Sequence, residues 1–164
     1  MPQTVVHITD THLFEDSRAT LKGINPEANL QRVIEQACAD RPDAVLVTGD
    51  LVHDESLEAY QKIQRYLERF DCPVYCLPGN HDSPRLMAKV LNWEMKQGLS
   101  HDRLGDWHLI LVNSWSEGCE GGRISDETLS ALNRLLSTID SEACVLATHH
   151  QPVPVCSLWI DQES

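Results

Sequence analysis

The sequence predicts an α/β fold in which helices pack on a largely parallel β-sheet. Short apolar segments rich in β-branched residues alternate along the chain with longer segments of helical periodicity, which is the pattern of successive β-α-β units. No internal repeat, low-complexity tract or linker interrupts this alternation over the 164 residues. We therefore expect a single domain, residues 1–164, with a buried core.

Five segments are predicted as β-strands because they are short and apolar and contain β-branched residues. These segments are Val5–Thr9, Ala44–Thr48, Val74–Leu77, His108–Asn113 and Ala143–Thr148. Their shortness separates them from the helical segments between them, in which the apolar residues recur every three or four positions.

Four helices are predicted, one between each pair of consecutive strands. Leu30, Val33 and Ile34 recur at the spacing of an amphipathic helix, whose apolar side would face the sheet. We expect Ser83 to cap the third helix, which begins with Pro84. The four predicted helices are Glu27–Asp40, Ser56–Phe70, Pro84–Lys96 and Ser125–Ile139.

Polar residues with metal-binding side chains follow the predicted strands. In open α/β sheets, ligands bind outside the carboxyl ends of the strands. Asp10 and His12 lie two positions apart after the first strand, so both side chains can point the same way. The candidate site residues are Asp10, His12, Asp50, Asn80, His81 and His149.

A site for two metal ions accounts for this combination of side chains. Asp50 has two carboxylate oxygens and can bridge two cations roughly 3.5–4 Å apart. Asn80 offers an amide oxygen, and either His149 or His150 offers an imidazole nitrogen. Each cluster alone also fits a turn in which a polar side chain bonds to the backbone. Their occurrence together, one cluster per strand end, favours metal binding.

The order of these motifs resembles that of the calcineurin-like metallophosphoesterases. The motifs are Asp-x-His, Gly-Asp, Gly-Asn-His-Asp and His-His-x-Pro, and the resemblance runs from about Thr4 to the last residue. Three further segments look like the bacterial 3′,5′-cyclic-AMP phosphodiesterases of this superfamily, the class III cyclic nucleotide phosphodiesterases. They are Ile8–Phe14, Gly23–Asn25 and Ser157–Gln162. The resemblance implies a sandwich of two β-sheets flanked by helices.

The resemblance also implies which residues hold the metal ions. Asp10 and His12 would bind one cation, Asn80 and His149 the other, and Asp50 both. It favours His149 over His150 because the family places its ligand first in the pair. Such ligands suit two divalent ions, iron or manganese, with zinc as an alternative.

The implied reaction is hydrolysis of 3′,5′-cyclic AMP to 5′-AMP by a hydroxide that bridges the two metal ions. His12, Asn80 and His81 would bind the substrate. His81 would also be catalytic, because an imidazole with a pKa of about 6.5 can donate a proton to the departing 3′ oxygen. Two alternatives stay open: another phosphodiester or monoester substrate, and a catalytically inactive fragment.

One motif of the resembled family has no counterpart in the chain. Its later Gly-His-x-His segment gives one histidine to each metal ion, and no histidine here follows a glycine in that pattern. We therefore expect the N-terminal portion of a domain that is incomplete at its C-terminus. Apolar surface left exposed would then favour association, including homo-dimerisation.

The composition agrees with a cytoplasmic enzyme, and the resemblance implies a small-molecule cyclic nucleotide as its partner. A net charge of −12 argues against nucleic acid or an anionic membrane as partner. Two bound divalent cations would nevertheless let an acidic chain attract a phosphate ester. The six cysteines form no C-x-x-C pair and no secretory segment is recognised, so we expect reduced thiols in the cytoplasm.

Overall fold

A computed structural model of the chain describes residues 3–139, 143–157 and 160–162. The chain forms two compact units, Met1–Trp93 and Glu94–Ser164. Each unit contains a three-stranded sheet with its own helices, so the predicted α/β class is confirmed. Leu158 and Trp159, which belong to the resemblance segment Ser157–Gln162, lie outside the described residues.

The first unit consists of three strands, two helices that connect them and a third helix after the last strand. In chain order these are β1 (Val5–Ile8), α1 (Pro26–Ala39), β2 (Ala44–Thr48), α2 (Leu57–Leu67), β3 (Val74–Leu77) and α3 (Pro84–Leu91). The strands are parallel in the order β1-β2-β3. Their carboxyl ends therefore meet at one edge of the sheet, as the motif positions require.

The central strand of this sheet is buried along its whole length. All five residues of β2 are buried. Val45 and Val47, which share one face of the strand, belong to a core cluster with side chains from helices α1, α2 and α3. The fully buried large residues among them are Ile34, Tyr60, Ile63 and Met87.

The ends of the helices follow local capping chemistry, with one exception. The side chains of Asn25 and Ser56 each accept a hydrogen bond from a first-turn N–H of α1 and α2. Ser83 occupies the N-cap position of α3 and Pro84 begins the helix, as predicted, but the Ser83 side chain makes no capping hydrogen bond. Its backbone N–H donates to the Tyr60 hydroxyl at 2.8 Å. Helix α3 also ends earlier than predicted, because Asn92 takes a left-handed conformation with φ 51°.

The second unit combines an antiparallel hairpin with a parallel strand. Its elements are β4 (Leu99–Leu104), β5 (Trp107–Val112), α4 (Asp126–Thr138), β6 (Cys144–Ala147) and a short 3-10 helix, Ile160–Gln162. Strands β4 and β5 are antiparallel, whereas β5 and β6 are parallel. The sequence analysis missed β4, because its polar residues Ser100–Arg103 hide the apolar signal of a strand. The expectation of a largely parallel sheet therefore holds for the first unit only.

Exposed apolar residues occur on the last strand. β6 lies at the edge of the described part of its sheet, and Val145 and Leu146 are 42% and 44% exposed. Neighbouring residues of a strand point to opposite faces, so both faces of β6 present apolar surface. None of the helices formed by the described residues combines the length and apolar character needed to cross a membrane.

Candidate metal centre

The segments that follow β1 and β2 are hydrogen-bonded to each other. The backbone N–H of Asp10 donates to the Gly49 carbonyl at 3.1 Å, and that of His12 donates to the Asp50 carbonyl at 2.8 Å. The contact continues as an isolated parallel bridge between Leu13 and Val52. These bonds fix the Asp-x-His motif beside the Gly-Asp motif.

Three of the predicted ligands have unusual backbone conformations. Asp10, His12 and Asp50 have φ values of 56°, 42° and 52°, in the left-handed region that non-glycine residues rarely occupy. Gly49, which precedes Asp50, has φ 92°, a value that glycine adopts without a steric penalty. Strained backbone of this kind clusters at functional sites, where surrounding contacts hold it in place.

The side chains of these residues converge on one position. The Nε2 atom of His12 lies 3.5 Å from Asp50 Oδ2 and 3.9 Å from Asp10 Oδ1. One ligand atom from each of the three residues lies within 4.8 Å of the others. The Asp50 side chain is 6% exposed and that of Asp10 53%. Two carboxylates and an imidazole, open to solvent on one side, fit a divalent cation.

A tight turn after β3 carries Asn80 and His81. The N–H of Asp82 donates to the Gly79 carbonyl at 3.0 Å, which leaves Asn80 and His81 at the two central positions of the turn. The backbone N–H of His81 donates to Asp50 Oδ1 at 3.1 Å. The third strand end is thereby attached to the carboxylate that we predict to bridge the metal ions.

Asp82 holds this turn against the neighbouring segment. Its buried carboxylate accepts hydrogen bonds from the N–H groups of Leu51 at 3.1 Å and Gly79 at 2.9 Å, and from the Tyr60 hydroxyl at 2.9 Å. Burial raises the pKa of Asp82 above its ordinary value, although the hydrogen bonds from the backbone and from Tyr60 oppose this shift. This role of Asp82 was not predicted, because its partners come from three separate segments of the chain.

Three histidines lie together at the site. The ring centroids of His12 and His81 are 5.0 Å apart. The His53 ring stacks on the His81 ring with 4.8 Å between their centroids. His53 also lies 4.7 Å from the Phe14 ring. Burial lowers the pKa of His12 and of His53 below the ordinary value, which favours neutral rings with a free lone pair. Sequence reasoning missed His53; its position three residues after Asp50 was the signal available.

A cleft opens beside Asp10 and His12. It has a volume of about 320 Å³ and is lined by both residues together with apolar side chains such as Leu21 and Ile24. Small-molecule sites combine mainly apolar walls with a few polar groups in this way. The cleft therefore adjoins the position on which the ligand atoms converge.

His149 and His150 belong to the second unit. The Nδ1 atom of His150 lies 2.8 Å from the Ser114 hydroxyl, and its Nε2 lies 3.1 Å from the Glu120 carbonyl. A Cβ atom at Gly122 would overlap the His150 ring, so that ring is also closely packed. Both ring nitrogens of His150 therefore have partners within the second unit, and the choice of His149 as the ligand of the pair stays a prediction.

The chain resembles known proteins in both sequence and fold. The model of the calcineurin-like phosphoesterase family matches residues 3–164, and the chain belongs to this family. A 3′,5′-cyclic-nucleotide phosphodiesterase from Nostoc sp. is 35% identical over 164 residues, which cover 99% of this chain and 62% of the relative. The 3′,5′-cyclic adenosine monophosphate phosphodiesterase CpdA of Haemophilus influenzae is 34% identical over 163 residues, which cover 98% of this chain and 60% of that relative. The chain thus spans about 60% of the length of these curated relatives.

Solved structures show the same fold at lower sequence identity. A dimetal phosphatase from Danio rerio superposes with a TM-score of 0.71 at 16% identity, covering 94% of this chain and 71% of that one. A purple acid phosphatase from yellow lupin seeds superposes with a TM-score of 0.61 at 15% identity. The superposition covers 90% of this chain and 30% of the phosphatase. At this identity the likeness establishes the fold alone.

Proposed function

We propose that this chain is part of a phosphodiesterase that uses two divalent metal ions to hydrolyse 3′,5′-cyclic AMP to 5′-AMP. Asp10 and His12 would hold one ion, Asn80 and His149 the other, and Asp50 both. Iron and manganese are the proposed metals, with zinc as an alternative. The proposed enzyme acts in the cytoplasm on a small-molecule substrate.

One observation carries this proposal. Two carboxylates and an imidazole from the ends of β1 and β2 meet within 4.8 Å, and all three residues are held in left-handed backbone conformations. A turn that served only to connect elements would not need three strained residues whose side chains converge. The substrate is proposed from the relatives, which are cyclic-nucleotide phosphodiesterases at 34–35% identity.

The chain's own residues supply positioning and a proton. Two divalent cations held by these residues would lower the pKa of a water molecule and would neutralise charge that develops on the phosphate. The Asp50 carboxylate accepts a hydrogen bond from the backbone N–H of His81. This bond holds the turn that carries Asn80 and His81 at a fixed distance from the carboxylate. His12, Asn80 and His81 bind the phosphate, and the His81 imidazole donates a proton to the departing 3′ oxygen. The cleft beside Asp10 offers room for the nucleoside.

The test is hydrolysis of cyclic AMP by the full chain with added Mn²⁺, beside the variants Asp50→Asn and His81→Ala. Asp50→Asn is expected to lose metal binding and turnover together, since it removes the charge of the bridging carboxylate. His81→Ala is expected to lower kcat by about 10²–10⁴-fold while metal binding is retained, because it removes only the proton donor.

Asp71→Asn is the matched control, an exposed carboxylate of the same unit that lies away from the site. It should leave turnover unchanged. Hydrolysis of a generic aryl phosphodiester without hydrolysis of cyclic AMP would contradict the proposal that cyclic AMP is the substrate. It would leave the proposed metal site in place. Equal metal binding by the wild-type chain and Asp50→Asn would contradict the metal site itself.

A further inference from the structure

His53 occupies the position next to the metal-facing histidine. Its Nδ1 atom lies 3.2 Å from Nδ1 of His12, within hydrogen-bond distance. On the opposite side of the His12 ring, Nε2 faces the carboxylates of Asp50 and Asp10 at 3.5 and 3.9 Å. The two nitrogens of His12 therefore face different partners.

The chemistry of imidazole decides which nitrogen carries the proton. A nitrogen that binds a metal ion must present its lone pair, so a neutral His12 that binds through Nε2 carries its proton on Nδ1. That N–H needs an acceptor, and Nδ1 of His53 lies where an acceptor is needed. His53 in turn carries its own proton on Nε2.

We propose that His53 is a positioning residue that accepts a hydrogen bond from Nδ1–H of His12 and so directs Nε2 of His12 at the metal ion. The inference rests on the proposed metal centre and extends it to a residue outside the ligand set. Partners of this kind fix both the tautomer and the ring orientation of a metal-binding histidine.

His53 is itself held in place for this role. Its backbone N–H donates at 2.8 Å to the carbonyl of Leu13, the residue that follows His12 in the chain. Its ring stacks on His81 with 24° between the planes and contacts Phe14 at 4.7 Å. The backbone hydrogen bond and the two ring contacts restrict the orientation of the His53 imidazole, whose Nδ1 lies beside Nδ1 of His12.

The test compares three substitutions that separate the acceptor from the ring. His53→Asn keeps an acceptor atom at the δ position, His53→Phe keeps an aromatic ring without an acceptor, and His53→Ala removes both. Metal-free full-length chains are titrated with Mn²⁺ by calorimetry. The absorption spectrum of the Co²⁺-loaded chains reports the geometry around the metal independently of activity.

We expect His53→Phe and His53→Ala to weaken Mn²⁺ binding about 10–100-fold and to alter the Co²⁺ spectrum, as loss of a hydrogen-bond partner to a metal-binding histidine does. His53→Asn should retain most of the affinity and the spectrum. Thermal unfolding of the metal-free chains identifies any variant that fails to fold. If His53→Phe or His53→Ala fails to fold, the Mn²⁺ affinity and Co²⁺ spectrum of His53→Asn still test the proposal.

Two results would overturn the inference while leaving the metal centre in place. They are unchanged Mn²⁺ affinity and Co²⁺ spectrum in a folded His53→Phe, and a loss in His53→Asn as large as that in His53→Phe. Failure of the wild-type chain to bind metal, with Asp50→Asn indistinguishable from it, would instead overturn the proposed function and this inference with it.

Discussion

At the scale of single residues, side chains outside the candidate ligand set also determine the structure of the site. Asp82 does not face the converging ligand atoms, yet its carboxylate joins the segment after β2 to the turn after β3. The Tyr60 hydroxyl donates to Asp82 at 2.9 Å and accepts from the N–H of Ser83 at 2.8 Å. This buried network determines where Asn80 and His81 can lie.

Tyr60→Phe tests that network. The substitution removes one donor to the Asp82 carboxylate and leaves the N–H of Ser83 without its acceptor, so the free energy of unfolding should fall by about 1–3 kcal/mol. Chemical denaturation of the metal-free chain measures this change. Tyr66→Phe, whose hydroxyl donates to the partly exposed Glu27, is the control and should cost less than about 1 kcal/mol. Equal losses in the two variants would contradict a special role for the network.

At the scale of elements, one lysine of α2 links that helix to α1 and to the segment after β1. Lys62 Nζ lies 2.8 Å from Glu27 Oε2, and it donates to the Phe14 carbonyl at 3.1 Å. Burial acts to raise the pKa of Glu27, but hydrogen bonds from Lys62 and Ser17 and the charge of Lys62 outweigh it, so this pKa lies below its ordinary value. Because the Phe14 ring contacts His53, the hydrogen bond from Lys62 also connects α2 to the surroundings of the candidate metal centre.

Glu27→Gln is expected to lower the free energy of unfolding at neutral pH by about 1.5–3 kcal/mol, the range for hydrogen bonds to charged groups. Because the folded state depresses the pKa of Glu27, its contribution is complete above the ordinary glutamate pKa of about 4.3 and disappears as the pH falls through the lower folded value. The difference between wild type and variant should therefore vanish in acid.

Urea denaturation at a series of pH values from neutral to strongly acidic measures this difference. Glu35→Gln, an exposed position on the same helix, is the matched control and should show a small, nearly constant difference. A Glu27→Gln deficit that persisted unchanged in acid would show that the charge of Glu27 is not what stabilises the contact between the helices.

At the scale of the whole molecule, the chain has the fold of its family but spans about 60% of the length of its curated relatives. The second unit presents Val145 and Leu146 on β6, a strand at the edge of the described sheet. An edge strand with apolar side chains and unpaired backbone groups is a template for pairing with another chain. This agrees with the expectation from the sequence that apolar surface is exposed.

Val145→Thr combined with Leu146→Thr tests this surface. Sedimentation over a range of concentrations should show association of the wild-type chain, and the double variant should associate about tenfold more weakly because it presents less apolar area. Val153→Thr, 64% exposed but outside any strand, is the control and should behave like wild type. A wild-type chain that stays monomeric at every concentration would contradict the prediction.

Most elements of the fold could be predicted because their signals are local. β2 and β3 occur at the predicted bounds, and the other predicted strands and helices differ mainly at their ends. β4 was missed because a polar edge strand is stabilised by pairing with β5 and lacks an apolar pattern of its own. The Ser83 side chain makes no capping hydrogen bond because the N–H groups of Leu86 and Met87 both donate to the Ser83 backbone carbonyl.

The sequence by itself determined the candidate ligands, because aspartate, histidine and asparagine in a fixed order after apolar strands need only local patterns to be recognised. The convergence of Asp10, His12 and Asp50 on one position was decided by the tertiary structure, through bonds between the ends of β1 and β2. The same holds for His53 and Asp82, whose partners lie far apart along the chain. Local sequence specifies which donor atoms a residue offers, whereas only the packed backbone specifies which other atoms they meet.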